Sequence, residues 1–138
     1  MQHIKNTIQQ LTSKLASLVS GDASDEVTEL IITEVDPPGR LTRCWVTGYI
    51  EQHAFEALLY ARHATRPEIE LHRSRISKLW LRELVSGRIV AVFERGWGLP
   101  PTTEAARKLV DCLASVLAFQ VYGHLRQTYP TIHRLRTK

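Results

Sequence analysis

The chain has 138 residues, of which 43% are hydrophobic and 23% charged, and 18 Lys and Arg residues stand against 14 Asp and Glu residues. This composition is typical of a soluble globular domain and excludes collagen-like and disordered chains. The longest nearly apolar run, Leu109 to Tyr122, is too short to cross a bilayer, and Met1–Asn6 lacks the pattern of a signal peptide. We therefore expect one cytoplasmic domain spanning residues 1–138, with no membrane partner.

Residues 3–20 are the first predicted element, an amphipathic helix that stops at Gly21. Its apolar residues recur at 3.6 residues per turn: Ile4, Ile8, Leu11, Leu15, Leu18 and Val19.

Two hairpins are predicted next along the chain. Residues 26–35 and 41–50 are rich in β-branched and aromatic residues, and Asp36-Pro37-Pro38-Gly39 between them favours a turn. Residues 75–95 predict the second hairpin, which turns at Gly87. A helix through Ile76, Leu79 and Leu84 is the second interpretation of its first arm. Residues 51–64 fit either a helix or a strand, and their propensity alone favours a helix.

The C-terminal third contains the most apolar stretch. Gly96–Pro101 predicts a loop, and a helix then begins at Thr102 or Thr103, either of which can cap it, and runs to about Arg126. Pro130 ends any helix, which leaves Thr131–Lys138 as a basic tail. This helix is apolar over most of its circumference, so we expect a homodimer. The predicted fold class is α+β: an N-terminal helix, an antiparallel sheet of four or five strands, and a long C-terminal helix packed on one sheet face.

Positive charge is concentrated in the second half of the chain. Residues 1–61 hold four basic and eight acidic residues, whereas residues 62–138 hold fourteen basic and six acidic ones. Thirteen of the eighteen basic residues are Arg, whose planar guanidinium suits bidentate contacts to phosphate or carboxylate. The two halves can also neutralise each other, within one fold or across a dimer.

The predicted strand near residue 80 carries the candidate site. Lys78, Trp80 and Arg82 share one face of this strand, so cations that neutralise phosphates lie beside an aromatic ring that can stack on a base. The candidate nucleic-acid-binding residues are Arg73, Arg75, Lys78, Trp80, Arg82 and Arg88. The same pattern also fits a solvated sheet face, with arginine stems covering apolar surface and Trp80 packed against a helix.

No motif for catalysis, a cofactor or a metal is present. The six histidines lack the spacing of paired metal ligands, and Cys44 and Cys112 stand 68 residues apart, outside any C-x-x-C pair. The glycines match neither nucleotide-binding pattern, and no nucleophile elbow occurs. We therefore expect a protein that is not an enzyme, with no cofactor and no metal.

Several short sequence motifs between residues 63 and 100 resemble those of a group of known sequences. These motifs are His63-Ala64, Pro67-Glu68, Ser74–Leu79 and Arg95-Gly96-Trp97, followed by Pro100. They resemble small uncharacterised proteins of bacterial plasmids, phages and integrated mobile elements, although Glu94 stands where Asp would be expected. The resemblance implies a small α+β fold in which residues 54–62 form a strand, and it implies no activity.

The function predicted from these observations is a non-enzymatic accessory binding module that associates with DNA or RNA through the basic surface. The alternative is an inhibitor or adaptor that binds a protein partner through the apolar C-terminal helix or a sheet edge.

Overall fold

The computed structural model describes residues 26–123 and 127–137, which contain seven strands, one α-helix and two short 3-10 helices, Pro67–Ile69 and Leu71–Arg73. The strands are β1 (Glu26–Asp36), β2 (Arg43–Ile50), β3 (His53–Tyr60), β4 (Ile76–Glu83), β5 (Ile89–Glu94), β6 (Trp97–Leu99) and β7 (Thr131–Thr137). The helix, α1, spans Glu104–Tyr122. The strands form one antiparallel sheet in the order β6-β5-β4-β3-β2-β1-β7. The first six therefore follow one another as a meander, and β7 returns beside β1.

The prediction of four or five strands is wrong, because two segments outside the predicted strands also pair. β6 lies in the predicted loop Gly96–Pro101, where Trp97 pairs with Phe93 of β5. β7 occupies the predicted tail Thr131–Lys138 and pairs with β1 over seven residue positions. Neither segment has a clear apolar alternation, so each becomes a strand only through its neighbour. The charged side chains of β7 are typical of an edge strand.

Three other strand predictions are confirmed. β1 and β2 form the hairpin around Asp36–Gly39, and β4 and β5 form the second hairpin, with Gly87 at φ +72° in its turn. β3 forms where the resemblance implied a strand, although helix propensity is high there. It lies between β2 and β4 and is paired on both edges, so the surrounding sheet overrides local preference.

The helix begins as predicted but ends earlier. Thr103 is its N-cap, and the Thr103 hydroxyl accepts a hydrogen bond of 3.0 Å from the backbone N–H of Ala106. It ends at Tyr122 rather than near Arg126, and residues 124–126 lie outside the described part of the chain. No helix within the described ranges is long and apolar enough to span a membrane. The predicted N-terminal helix, residues 3–20, also lies outside the described residues.

One face of the sheet is covered by α1 and forms the core. Seven helix residues are buried against it: Ala106, Leu109, Val110, Leu113, Leu117, Ala118 and Val121. The outward side of α1 carries Lys108, Asp111 and Ser115, with Phe119 as its exposed apolar residue. The apolar circumference that suggested a homodimer is thus largely buried within one chain, and the homodimer stays a prediction. We call the opposite side of the sheet the outer face.

Candidate functional site

The six predicted site residues do not lie in one place. Lys78, Trp80 and Arg82 alternate along the outer face of β4, as predicted. Arg73 and Arg75 precede this strand, whereas Arg88 follows the turn at its far end. An eight-residue strand is about 24 Å long, so the predicted patch is divided between the two ends of β4.

Carboxylates and aromatic rings also occupy the outer face around β4. Lys78 pairs across strands with Glu94, and Trp80 lies between Glu56 and Val92. The Trp80 ring stacks on that of Trp45, with centroids 5.9 Å apart and planes 25° apart. The outer face is therefore mixed in charge and rich in aromatic surface, and it is not a continuous sheet of cations.

A pocket of about 580 Å³ opens where β3 ends and β4 begins. Its walls come from strand ends and from the loop between β3 and β4. Its lining residues are Leu41, Thr42, Tyr60, Ala61, Arg62, His63, Ala64, Thr65, Ile69, Glu70, Arg75, Ser77 and Arg95. Three arginines thus converge on one cavity whose remaining walls are largely apolar, which is the usual composition of a ligand site.

Arg75 is the most firmly held of the three arginines. Its Nη1 donates a hydrogen bond of 3.1 Å to the carbonyl oxygen of Ala61. Its guanidinium carbon lies 5.7 Å from the centroid of the Tyr122 ring, at the C-terminal end of α1. A half-buried guanidinium held at two points presents its other N–H groups in a fixed direction.

Two of the arginines adopt a backbone conformation that residues other than glycine rarely take. Arg75 has φ +68° and Arg95 has φ +57°. Each such residue costs roughly 1–3 kcal/mol and persists only where its surroundings hold it. The carbonyl of Arg75 accepts from the N–H of Tyr60 at 2.9 Å, and the N–H of Arg95 donates to the backbone carbonyl of Ser77 at 2.8 Å. Strained residues of this kind cluster at binding sites.

A buried carboxylate fixes the loop that forms the outer wall. Glu70 is 7% exposed and accepts hydrogen bonds from His63 Nδ1 at 3.0 Å and from the N–H of Ala64 at 3.1 Å. A carboxylate can only accept, so Nδ1 of His63 carries the proton. Glu70 is thereby satisfied on the protein side and holds His63 and Ala64 at the pocket.

Ser77 has an unsatisfied hydroxyl beside the cavity. It is the extra residue of the bulge where β4 shifts register against β3, between Leu58 and Leu59. Ser77 is 7% exposed, and its Oγ has no hydrogen-bond partner among the described residues. Buried hydroxyls are nearly always partnered, so an unpartnered one at a pocket marks a place where a polar group would be stabilised.

Cys44, Tyr122 and Tyr129 lie close together beside the buried Arg40. The Sγ atom of Cys44 lies 3.7 Å from the phenol oxygen of Tyr122. Burial raises the pKa of the Cys44 thiol, and burial also raises the pKa values of the Tyr122 and Tyr129 phenols. These groups therefore stay protonated near neutral pH, and Cys44 does not provide a reactive thiolate. Among the described residues, no cluster of His, Cys, Asp and Glu could hold a metal ion.

A comparison with protein-family models identifies the family of this chain. A family model described as "Domain of unknown function (DUF7678)" matches residues 44–118, more than half of the chain. The chain belongs to this family. The DUF7678 match runs from β2 through most of α1 and contains every pocket residue except Leu41 and Thr42. No curated protein matches the chain, and no solved structure matches it.

The DUF7678 description gives neither an origin nor an activity, so the likeness to proteins of mobile elements stays a prediction. Several residues of the sequence motifs on which that resemblance rests line the pocket, however. His63-Ala64, Ser74–Leu79 and Arg95–Trp97 together contain five of its lining residues. These motifs are the sequence signal that could have identified His63, Ser77 and Arg95 as site residues. The charge pattern alone led only to the residues around β4.

Proposed function

We propose that this protein is a binding module for single-stranded nucleic acid, with its main phosphate contacts at the pocket end of the sheet. One observation carries the proposal. Segments 36–43, 60–78 and 94–97, which meet at that end, contain eight basic and four acidic residues, and three of the arginines open into one pocket. We call this region the basic end.

Two of the four carboxylates of the basic end are already engaged. Glu68 pairs with Arg66 at 2.8 Å, and Glu70 is bound by His63. Within the described ranges, Arg62, Arg73 and Arg95 form no ion pair with a carboxylate. Guanidinium groups in this state are suited to bidentate contacts with phosphate oxygens.

Aromatic surface next to the basic end favours a single strand over a duplex. Tyr60 lines the pocket, and Trp45 lies two residue pairs further along the sheet, stacked on Trp80. Unpaired bases stack on such rings, whereas the bases of a duplex are already stacked on one another.

Fluorescence anisotropy with a labelled single strand of about ten nucleotides tests the proposal, since single-strand sites cover roughly 4–16 nucleotides. If three phosphates are contacted, the slope of log K against log salt concentration is expected to be about −2. Binding that is absent at low salt, or that does not change with salt, would refute the proposal.

A matched pair of variants locates the contacts. The double variant Arg62→Gln/Arg95→Gln removes two cations of the basic end, and it is expected to weaken binding and to flatten the salt slope by about 1.4 units. The double variant Arg82→Gln/Arg88→Gln removes the same charge from the far end of β4 and is expected to bind like the wild type. Equal losses in the two variants would place the contacts elsewhere.

A protein-binding adaptor is the second candidate, and the edge strand β7 favours it. Among the described strands β7 has a neighbour on one side only, and Ile132 on it is 47% exposed. Arg134 and Arg136 of the same strand oppose edge pairing, because charged edge residues block the addition of another strand. Capture of one defined protein that survives nuclease and moderate salt would favour this candidate over nucleic-acid binding.

A further inference from the structure

The pocket at the basic end has the size and chemistry of a site for one ligand unit. We infer that it holds a nucleotide that ends in a phosphate monoester, with the phosphate on Arg62, Arg75 and Arg95 and the base against Tyr60. This inference rests on the proposed function and adds which part of the ligand the pocket takes. The nucleotide can be free or the last unit of a strand, because both present the same group.

The volume exceeds what a phosphate alone requires. At about 580 Å³ the pocket lies within the range of roughly 300–1,000 Å³ that small-molecule sites occupy. Ser77 and Glu70, each 7% exposed, are the buried residues of its lining. The cavity is therefore large enough for a phosphate together with its sugar and base.

The charge of the pocket matches a monoester better than a diester. A phosphate monoester carries about −1.5 to −2 charges near pH 7, whereas each phosphodiester carries one. Three arginines line the cavity, and its single carboxylate, Glu70, is engaged by His63 and the N–H of Ala64. Arg75 donates one N–H to the carbonyl oxygen of Ala61, which leaves most of its five donors for phosphate oxygens.

The remaining walls suit a base and sugar. Leu41, Ala61, Ala64 and Ile69 line the cavity beside Tyr60. Tyr60 is half-exposed, so one part of its ring is available for stacking. Leu41 is 88% exposed at the rim, where an apolar partner would cover it. The pocket therefore has a cationic part and an apolar part, as a nucleotide has a phosphate and a base.

The test compares strands that differ only in their end group. Two labelled oligothymidylates of about ten nucleotides, one with a 5′-phosphate and one with a 5′-hydroxyl, are titrated by anisotropy at constant salt. A third strand with a 3′-phosphate shows which end is recognised. Adenosine monophosphate, adenosine and inorganic phosphate are used as competitors. We expect a phosphorylated end to bind about tenfold more tightly, because charge-assisted hydrogen bonds to the extra oxygen are gained.

Each outcome separates the inference from the proposed function. Strand binding with equal affinity for phosphate and hydroxyl ends overturns the inference and leaves the function in place. Binding of adenosine monophosphate, measured directly by calorimetry, with no strand binding overturns the function and supports a pocket for free nucleotides. Competition by inorganic phosphate as strong as that by adenosine monophosphate overturns the part of the inference that concerns the base.

Variants tie the end preference to the pocket. Arg95→Gln and Arg62→Gln are each expected to remove most of the tenfold preference, whereas Arg88→Gln, outside the pocket, is expected to keep it. Thermal unfolding of each variant shows that it is folded. If either pocket variant unfolds at a lower temperature than the wild type, Tyr60→Leu provides the second readout. It is expected to weaken the binding of adenosine monophosphate and to leave the binding of inorganic phosphate unchanged. A preference that survives in all the pocket variants overturns the inference.

Discussion

The guanidinium carbon of Arg75 lies 5.7 Å from the centroid of the Tyr122 ring, where the last turn of α1 meets the start of β4. This contact connects the helix to the pocket wall. A cation over a half-buried aromatic ring is attracted by the electron-rich face of that ring. The Tyr122 ring and the Ala61 carbonyl therefore hold the Arg75 side chain at two points.

The Arg75–Tyr122 contact should appear as a coupling energy. In a double-mutant cycle with Arg75→Gln and Tyr122→Leu, we expect the free energies of unfolding to show a coupling of about 0.5–1 kcal/mol. Urea denaturation measures it. The same cycle with Arg82→Gln and Tyr122→Leu is the control and should give no coupling, because Arg82 lies on the outer face of the sheet. Additive effects for Arg75 and Tyr122 would show that the contact contributes nothing.

Alkaline pH should destabilise the fold through the Cys44 thiol and the Tyr122 phenol, whose pKa values burial raises. Burial raises the pKa of the Cys44 thiol from its ordinary 9.0 and that of the Tyr122 phenol from its ordinary 10.0. The unfolded chain therefore loses these protons first, and the free energy of unfolding falls as the pH rises above about 9 towards the raised values. Tyr122→Phe removes one of the groups and should make this fall shallower in urea denaturation at a series of pH values. An unchanged pH profile would contradict the assignment.

The strands were predictable where turn chemistry and apolar patterning agreed. Asp36-Pro37-Pro38-Gly39 identifies the first hairpin, since proline and glycine suit a turn and β-branched residues flank it. His53–Tyr60 has a composition that favours a helix, and it is a strand because β2 and β4 pair with both of its edges. β7 depends in the same way on β1, which lies about a hundred residues earlier in the chain.

The pocket was less predictable than the fold for a physical reason. Its walls combine residues between Leu41 and Arg95 that become neighbours only after the strands pair. Ser77 faces it through a register shift that no local pattern indicates. The left-handed φ values of Arg75 and Arg95 occur at residues that do not favour them, so propensity could not indicate these turns. Charge counting found the basic half of the chain but not the cavity within it.

The cap of α1 offers a test with a built-in control. The Thr103 hydroxyl accepts from the N–H of Ala106, so Thr103→Ala leaves that donor without its partner at the start of the helix. The expected loss in the free energy of unfolding is about 1 kcal/mol. The neighbouring Thr102 donates its backbone N–H to the carbonyl of Val90. Thr102→Ala keeps this donor and should therefore have little effect. Equal effects in thermal or urea unfolding would show that the hydroxyl of Thr103 is not the cap.

Gly48 lies in the middle of β2, where no side chain fits. A Cβ at this position would overlap the carbonyl oxygen of Ile31 on β1 and approach the Phe55 ring to 2.9 Å. The backbone of β1 cannot move away without loss of its pairing with β2, so the overlap is not easily relieved. Gly48→Ala is therefore expected to cost about 2–3 kcal/mol of the free energy of unfolding.

The matched control for Gly48 is Gly39, in the turn between β1 and β2. A Cβ there meets nothing within 4 Å, so Gly39→Ala should leave the free energy of unfolding nearly unchanged. Because both substitutions add one methyl group to a glycine, the difference between them reports the contact and not the change in backbone entropy. Urea denaturation of the two variants side by side measures it. A Gly48→Ala variant as stable as Gly39→Ala would mean that β1 and β2 do not approach each other this closely at Ile31.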